Sequence, residues 1–176
     1  MIVVDSGFIG NFKLGDNIHH NLKVLNCFYK LNDKILNKPK IVWISSIIEA
    51  ILHDFYFKTR LFTREGIKNL SEDVINFFRN KRADKFHHYI NLAKEKLLFG
   101  DNDIYNKLDI LRKLRNRIHI QNICNDLEID ERNAFTDERR TQAEETLTYI
   151  LSHMATQHNR GHNYVSKFEL PWNTSV

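Results

Sequence analysis

The sequence predicts an all-α fold, a bundle of four to five core helices with short N- and C-terminal extensions. Three observations carry that expectation. Apolar residues recur every three or four positions within 41–58, 104–118 and 143–154, the repeat of helices that bury one face. Only six glycines and two prolines punctuate 176 residues, too few for the turns of a β-sandwich. Ser71, followed by Glu72 and Asp73, and Thr136, followed by Asp137 and Glu138, have the chemistry of helix starts.

Taken in order, MIVVDSGFIG opens the chain as a strand or ordered arm. Ile18, Leu22, Leu25 and Tyr29 then have helical spacing, with Asp16 or Asn17 as cap, and Pro39 breaks the pattern. Residues 1–40 are therefore expected to form an extension on a helical domain at 41–156, with a tail at 157–176. Within 41–58, Ile44, Ile47, Ile48, Ile51 and Phe55 make a stripe that Trp43, Leu52 and Tyr56 broaden. Such width predicts a central helix covered on more than one side. Glu49 and Asp54 are carboxylates on this helix that could face an arginine elsewhere. Residues 59–70 read as a connection.

Val74, Ile75, Phe77 and Phe78, then Phe86, Tyr89, Ile90, Ala93 and Leu97, predict two helices or one interrupted near Asn80–Asp84. Gly100–Asp103 ends this part and offers caps for a helix that starts near Asp103. The stretch QNICNDLEIDERN is polar enough for a loop, and Ala143, Leu147, Ile150, Leu151 and Met154 give the last helix its apolar face. In the tail, VSKFEL offers a short strand beside the N-terminal arm.

Composition narrows the function classes. With 42% hydrophobic and 27% charged residues the chain has the make-up of a soluble globular domain. No apolar run reaches membrane-spanning length, so no membrane association is expected. Cys27 and Cys124 form no metal-ligand spacing, and no signal peptide precedes them, which predicts a reduced, cytoplasmic setting. The nine histidines are not grouped as ligands: His19-His20 and His87-His88 are sequence neighbours and split across helix faces, and no Cys pair joins His153, His158 and His162. No metal and no cofactor are expected, and phosphate-loop, dinucleotide and nucleophile-elbow motifs are missing. The net charge of +4 conceals an asymmetry, because 58–117 holds fifteen Lys/Arg against eight Asp/Glu while 118–156 holds three against eight. A basic middle suits a nucleic-acid partner, although lysine-rich helices also have ordinary solvated faces.

The most informative stretch is LDILRKLRNRIHIQN, at 108–122. Extended as one helix from Ile104, it places Ile104, Leu108, Leu111, Leu114 and Ile118 on one stripe and Arg112, Arg115 and His119 along its edge, with Asn116 slightly further round. Arg115 stands closest to the stripe, so its guanidinium is expected at a helix interface with a partner. On a continuous helix His119 would lie about 6 Å beyond Arg115 along the axis and about 10 Å beyond Arg112. An imidazole and a guanidinium on one face suit phosphate chemistry, the first moving a proton near neutral pH and the second holding developing negative charge.

The run LRKLRNRIHIQN resembles the signature helix of HEPN domains, small all-α modules of which many are metal-independent ribonucleases in prokaryotic defence and toxin–antitoxin systems. The family pattern is an Arg, often followed by a polar residue such as Asn, with four to six residues before a His. Arg112 meets that spacing to His119, whereas the Arg115-Asn116 pair has the more usual composition but stands one residue too close. Either arginine is a candidate for the family role. Over 41–156 the resemblance implies a HEPN-like bundle and a site of His119, Arg115, Arg112 and Asn116 that cleaves RNA by transesterification at the 2′-hydroxyl. It further implies a homodimer that shares the site, RNA as substrate, and a cognate antitoxin or regulatory protein as a possible partner. Some HEPN toxins carry a tyrosine two residues after the motif histidine. Here that position is Gln121, so regulation through such a tyrosine is not expected. The competing expectation is a non-catalytic helical module that binds a protein or nucleic acid, with His119 buried or both arginines paired within the chain.

Overall fold

One helix is apolar over so much of its circumference that the others gather around it. The computed structural model describes residues 2–61, 67, 69–100, 103–119 and 127–173. Their elements run β1 (Ile2–Val4), α1 (Phe12–Lys30), a 3-10 turn (Lys34–Leu36), α2 (Asn37–Leu61), α3 (Glu72–Arg79), α4 (Phe86–Glu95), α5 (Ile104–Asn116), α6 (Glu131–Ala134), α7 (Asp137–Gln157) and β2 (Phe168–Leu170). The chain is thus mostly helical. α2 packs against α1, α3, α4, α5 and α7, as its broad stripe predicts. Ile41, Ile44, Ile48 and Ile51 on α2 meet Leu108, Leu111 and Leu114 of α5 and Leu147, Ile150 and Leu151 of α7 in one fully buried core.

Helix starts follow side-chain chemistry. Ser71 Oγ accepts the Val74 N–H at 3.4 Å, and Thr136 Oγ1 accepts the Arg139 N–H at 3.3 Å, so both predicted caps operate. The break between α3 and α4 falls at Asn80–Lys85. Two boundaries differ from the sequence expectation. α1 begins at Phe12, capped by Asn11, which places Asp16 and Asn17 inside the helix. α2 begins before Pro39, which sits in the first turn, where a missing N–H leaves no hydrogen bond unmade. Residues 62–66 and 68 of the expected connection lie outside the described residues, and its first part continues α2 to Leu61.

The two ends of the chain are stitched to each other and to the bundle. β1 pairs antiparallel with β2 in the register Ile2↔Leu170, Val3↔Glu169 and Val4↔Phe168, so the VSKFEL segment does form a strand beside the N-terminal arm. Ser6 Oγ donates to the Val165 carbonyl at 2.6 Å, and the Arg160 N–H donates to the Gly7 carbonyl at 2.9 Å. Gly15 lets α1 lie directly on Val165: a Cβ there would come within 2.7 Å of both Val165 methyls.

Asp54 belongs to this stitching and not to the α5 arginines. Its buried carboxylate accepts the Gly10 N–H at 2.7 Å. Burial pushes its pKa above the ordinary 3.8, against the opposing pull of that N–H, Arg160, Lys58 and His53. The folded state therefore binds a proton at Asp54 more tightly than the unfolded chain, and stability falls as pH rises from 3.8 through the folded value. Asn at this position still accepts from Gly10 but does not ionise. Urea unfolding across that range should therefore show Asp54→Asn gaining on the parent protein as pH rises; a difference that moves the other way contradicts this reading.

Candidate functional site

α5 buries Ile104, Leu108, Leu111 and Leu114 as its periodicity predicts, but it ends at Asn116, short of the expected helix end after His119. The N–H groups of Arg117, Ile118 and His119 reach the carbonyls three residues back, at 3.1, 3.1 and 3.4 Å. These tight turns change the register of everything after Asn116. Ile118, expected on the buried stripe, is 58% exposed. Arg117, which a continuous helix would turn to solvent, is only 3% exposed. Its guanidinium donates to the Glu128 carbonyl and, at 2.8 Å, to the Ile129 carbonyl. It also stands 4.0 Å from the Glu131 carboxylate and 5.9 Å from the centre of the Phe135 ring. Residues 120–126, with Gln121, Cys124 and the first part of the expected loop, lie outside the described residues.

The two candidate arginines both remain on the helix. Arg115 reaches across to α2, where its NH2 meets Glu49 Oε2 at 2.5 Å, the interface partner its position near the stripe demands. The pair is neither buried nor free, at 34% and 21% side-chain exposure. Burial raises the Glu49 pKa above 4.5 even though Arg115 and His53 pull the other way. Arg112 forks onto Asp109 one turn back, with Nε at 2.8 Å and NH2 at 2.7 Å from Oδ1. Asp109 also meets Lys113 at 3.4 Å; burial would raise its pKa, but the two cations together hold it below 3.8.

Beside these arginines is a cleft of about 300 Å³ at the junction of α2, α4 and α5. α5 lines it with Arg112, Arg115 and Asn116, and α2 contributes Glu49. The approach to α4 adds Asp84 and Lys85, and its first turn adds His87. Lys85 stands at the N-cap of α4 in extended geometry, without a side-chain cap hydrogen bond. Asp84 is occupied on the far side, 3.0 Å from His88 Nδ1. Three cations thus face a small cavity with two carboxylates, one of them engaged elsewhere. This is a surface that can take an anion by exchanging Glu49 for it.

Of the four site residues expected from sequence, Arg112, Arg115 and Asn116 come together at this cleft. His119 is exposed on the turn after α5, and among the described residues it does not line the cavity. Sequence reasoning missed Lys85 and His87, which come from a different helix. It also missed Arg117, which residues 128–135 cover from further along the chain. The expected splitting of the His87-His88 pair across helix faces does not hold: their ring centroids lie 3.9 Å apart, with His88 on Asp84 and His87 lining the cleft. Among the described residues no three His, Cys, Asp or Glu side chains gather with metal-ligand geometry, and no helix is long and apolar enough to cross a membrane.

The buried and half-exposed arginines should respond differently to truncation. Arg117→Ala leaves two carbonyls without their donor and a void against Phe135, and should destabilise the fold by about 2–3 kcal/mol. Arg112→Ala removes only an exposed i,i+3 pair and should change stability by less than about 1 kcal/mol. Urea unfolding of the two variants checks the contrast; equal effects would mean that Arg117 does not anchor the end of α5. Compared with known proteins, the chain matches no family model, no curated protein and no solved structure.

Proposed function

We propose that this protein is a metal-independent RNA endonuclease of the HEPN type, working in a prokaryotic defence or toxin–antitoxin setting. The observation that carries the reading is the convergence of Arg112, Arg115 and Asn116 on one small cleft with Lys85, while the motif histidine His119 stays exposed at the end of the same helix. A phosphodiester seated there would take the place of Glu49 opposite Arg115. The guanidinium groups would then neutralise the charge that grows on the phosphorus oxygens as the 2′-hydroxyl attacks. Asn116 would orient the phosphate. His119 would exchange protons with the attacking or leaving oxygen, and pairing of two copies through their α5 ends would bring it to a site shared across a homodimer. The exposed Ile118 and Ile129 beside it give that contact an apolar element. RNA is the substrate under this reading, the cytoplasm its compartment, and a cognate antitoxin a natural restraint on such an activity.

A second reading is favoured by a specific observation: Arg112 and Arg115 both hold carboxylates of their own chain. A non-catalytic module that binds a protein or nucleic acid would keep its arginines in this state. The exposure of His119 and the half-exposure of both ion pairs favour the enzyme, since exposed pairs of this kind contribute roughly 0–1 kcal/mol and exchange readily. Incubation of labelled single-stranded RNA with the protein in EDTA separates the two. The enzyme reading predicts fragments with 2′,3′-cyclic phosphate ends, lost in His119→Ala with helicity unchanged. Intact RNA with both proteins would overturn the enzyme reading, and equal cleavage by both would overturn the assignment of His119 as the catalytic histidine.

A further inference from the structure

The cleft already contains an imidazole that the α5 motif does not supply. His87 stands on the first turn of α4 and lines the same cavity as Arg112, Arg115 and Asn116. Its position is fixed by its neighbours. Phe86 before it and Tyr89 after it are buried in the core and anchor the turn. His88 meets Asp84, and its ring lies 3.9 Å from that of His87. The two imidazoles thus sit side by side, His88 tied to a carboxylate and His87 lining the cavity with the arginines.

We propose that His87 is the general base of the cleft, accepting the proton of the attacking 2′-hydroxyl when a phosphodiester is held against Arg112 and Arg115. The inference rests on the RNA-cleaving reading and names a residue that reading lacks. In the step it describes, the 2′ oxygen forms a bond to phosphorus and its proton passes to His87. The bond from phosphorus to the 5′ oxygen breaks, and the departing oxygen takes its proton from His119, the exchange the proposed function gives that residue; solvent then restores the proton to His119. The products are a 2′,3′-cyclic phosphate and a 5′-hydroxyl, and His87 returns its proton to solvent. Nothing is oxidised or reduced.

The electrostatic setting fits a base. Burial, then the neighbouring His88, Arg112 and Lys85, hold the His87 imidazole below the usual 6.5, and only Asp84 opposes them. From α2 the cleft adds Glu49, paired with Arg115 of α5. An imidazole so placed is neutral at neutral pH, while the guanidiniums opposite remain charged. That combination lets a base and two anion-binding groups share one small cavity without the base being protonated in advance.

The test measures cleavage of single-stranded RNA in EDTA by the parent protein, His87→Gln, His87→Ala and His119→Ala from acid to alkaline pH, with binding to a 2′-deoxy analogue as a parallel readout. The parent rate should rise with pH as His87 loses its proton. His87→Gln should cleave roughly a hundredfold more slowly or worse and lose that acid limb, yet bind the analogue as the parent does. Added imidazole should restore activity to His87→Ala, an effect that a merely structural role would not produce. An active parent protein with His87→Gln equally fast and its acid limb intact overturns the role of His87 and leaves the nuclease reading standing. An inactive parent protein overturns the nuclease reading and this inference with it.

Discussion

The end of α5 is anchored by one buried cation. Arg117 follows directly on the last helical residue, and its guanidinium spans to the carbonyls of Glu128 and Ile129. A buried guanidinium needs its donors satisfied, and these carbonyls satisfy it. Arg117 thereby ties residues 128–131 to the end of α5. The helix stops at Asn116, and Ile118 and His119 beyond it face outward. The arrangement of the candidate site is a consequence: the two earlier arginines stay rigidly on the helix, and the histidine does not.

The acidic segment after α5 is partly consumed in holding that end of the molecule together. Lys38 of α2 meets Glu131 at 2.6 Å, and Lys34 meets Asp137 at 2.9 Å. Tyr29 and Arg140 both bond Glu144, and burial together with that carboxylate raises the Tyr29 pKa far above the ordinary value. Glu131, Asp137 and Glu144 are thus matched by cations from the 3-10 turn, α2 and α7. The cleft instead opens beside α5, which carries four Lys/Arg against one Asp.

Much of the architecture was legible because it rests on local chemistry. The caps Ser71 and Thr136 act on the N–H groups three residues on, and the stripe of α2 is wide because five helices cover it. Arg115 needed an interface partner, and Glu49 supplies it. Other features depend on contacts far apart in sequence, which periodicity does not contain. Pro39 broke the apolar pattern but not the helix, because it lies in the first turn. Asp54 looked as available to an arginine as Glu49, yet the N-terminal arm returns to claim it at Gly10. Ile118 was misplaced because a helical wheel assumes the helix continues, and His87 was overlooked because its partners in the cleft come from α5.

The account centres on the claim that the cleft between α2, α4 and α5 holds a phosphodiester. The most direct measurement is an NMR titration of the protein with a non-cleavable 2′-O-methyl oligoribonucleotide, following the guanidinium Nε–H signals of Arg112 and Arg115 and the imidazole of His87. The account predicts that these three respond together, that binding weakens steeply with added salt, and that Arg112→Ala with Arg115→Ala abolishes it. Saturable binding that leaves these signals unmoved, or no binding at low salt, would contradict it.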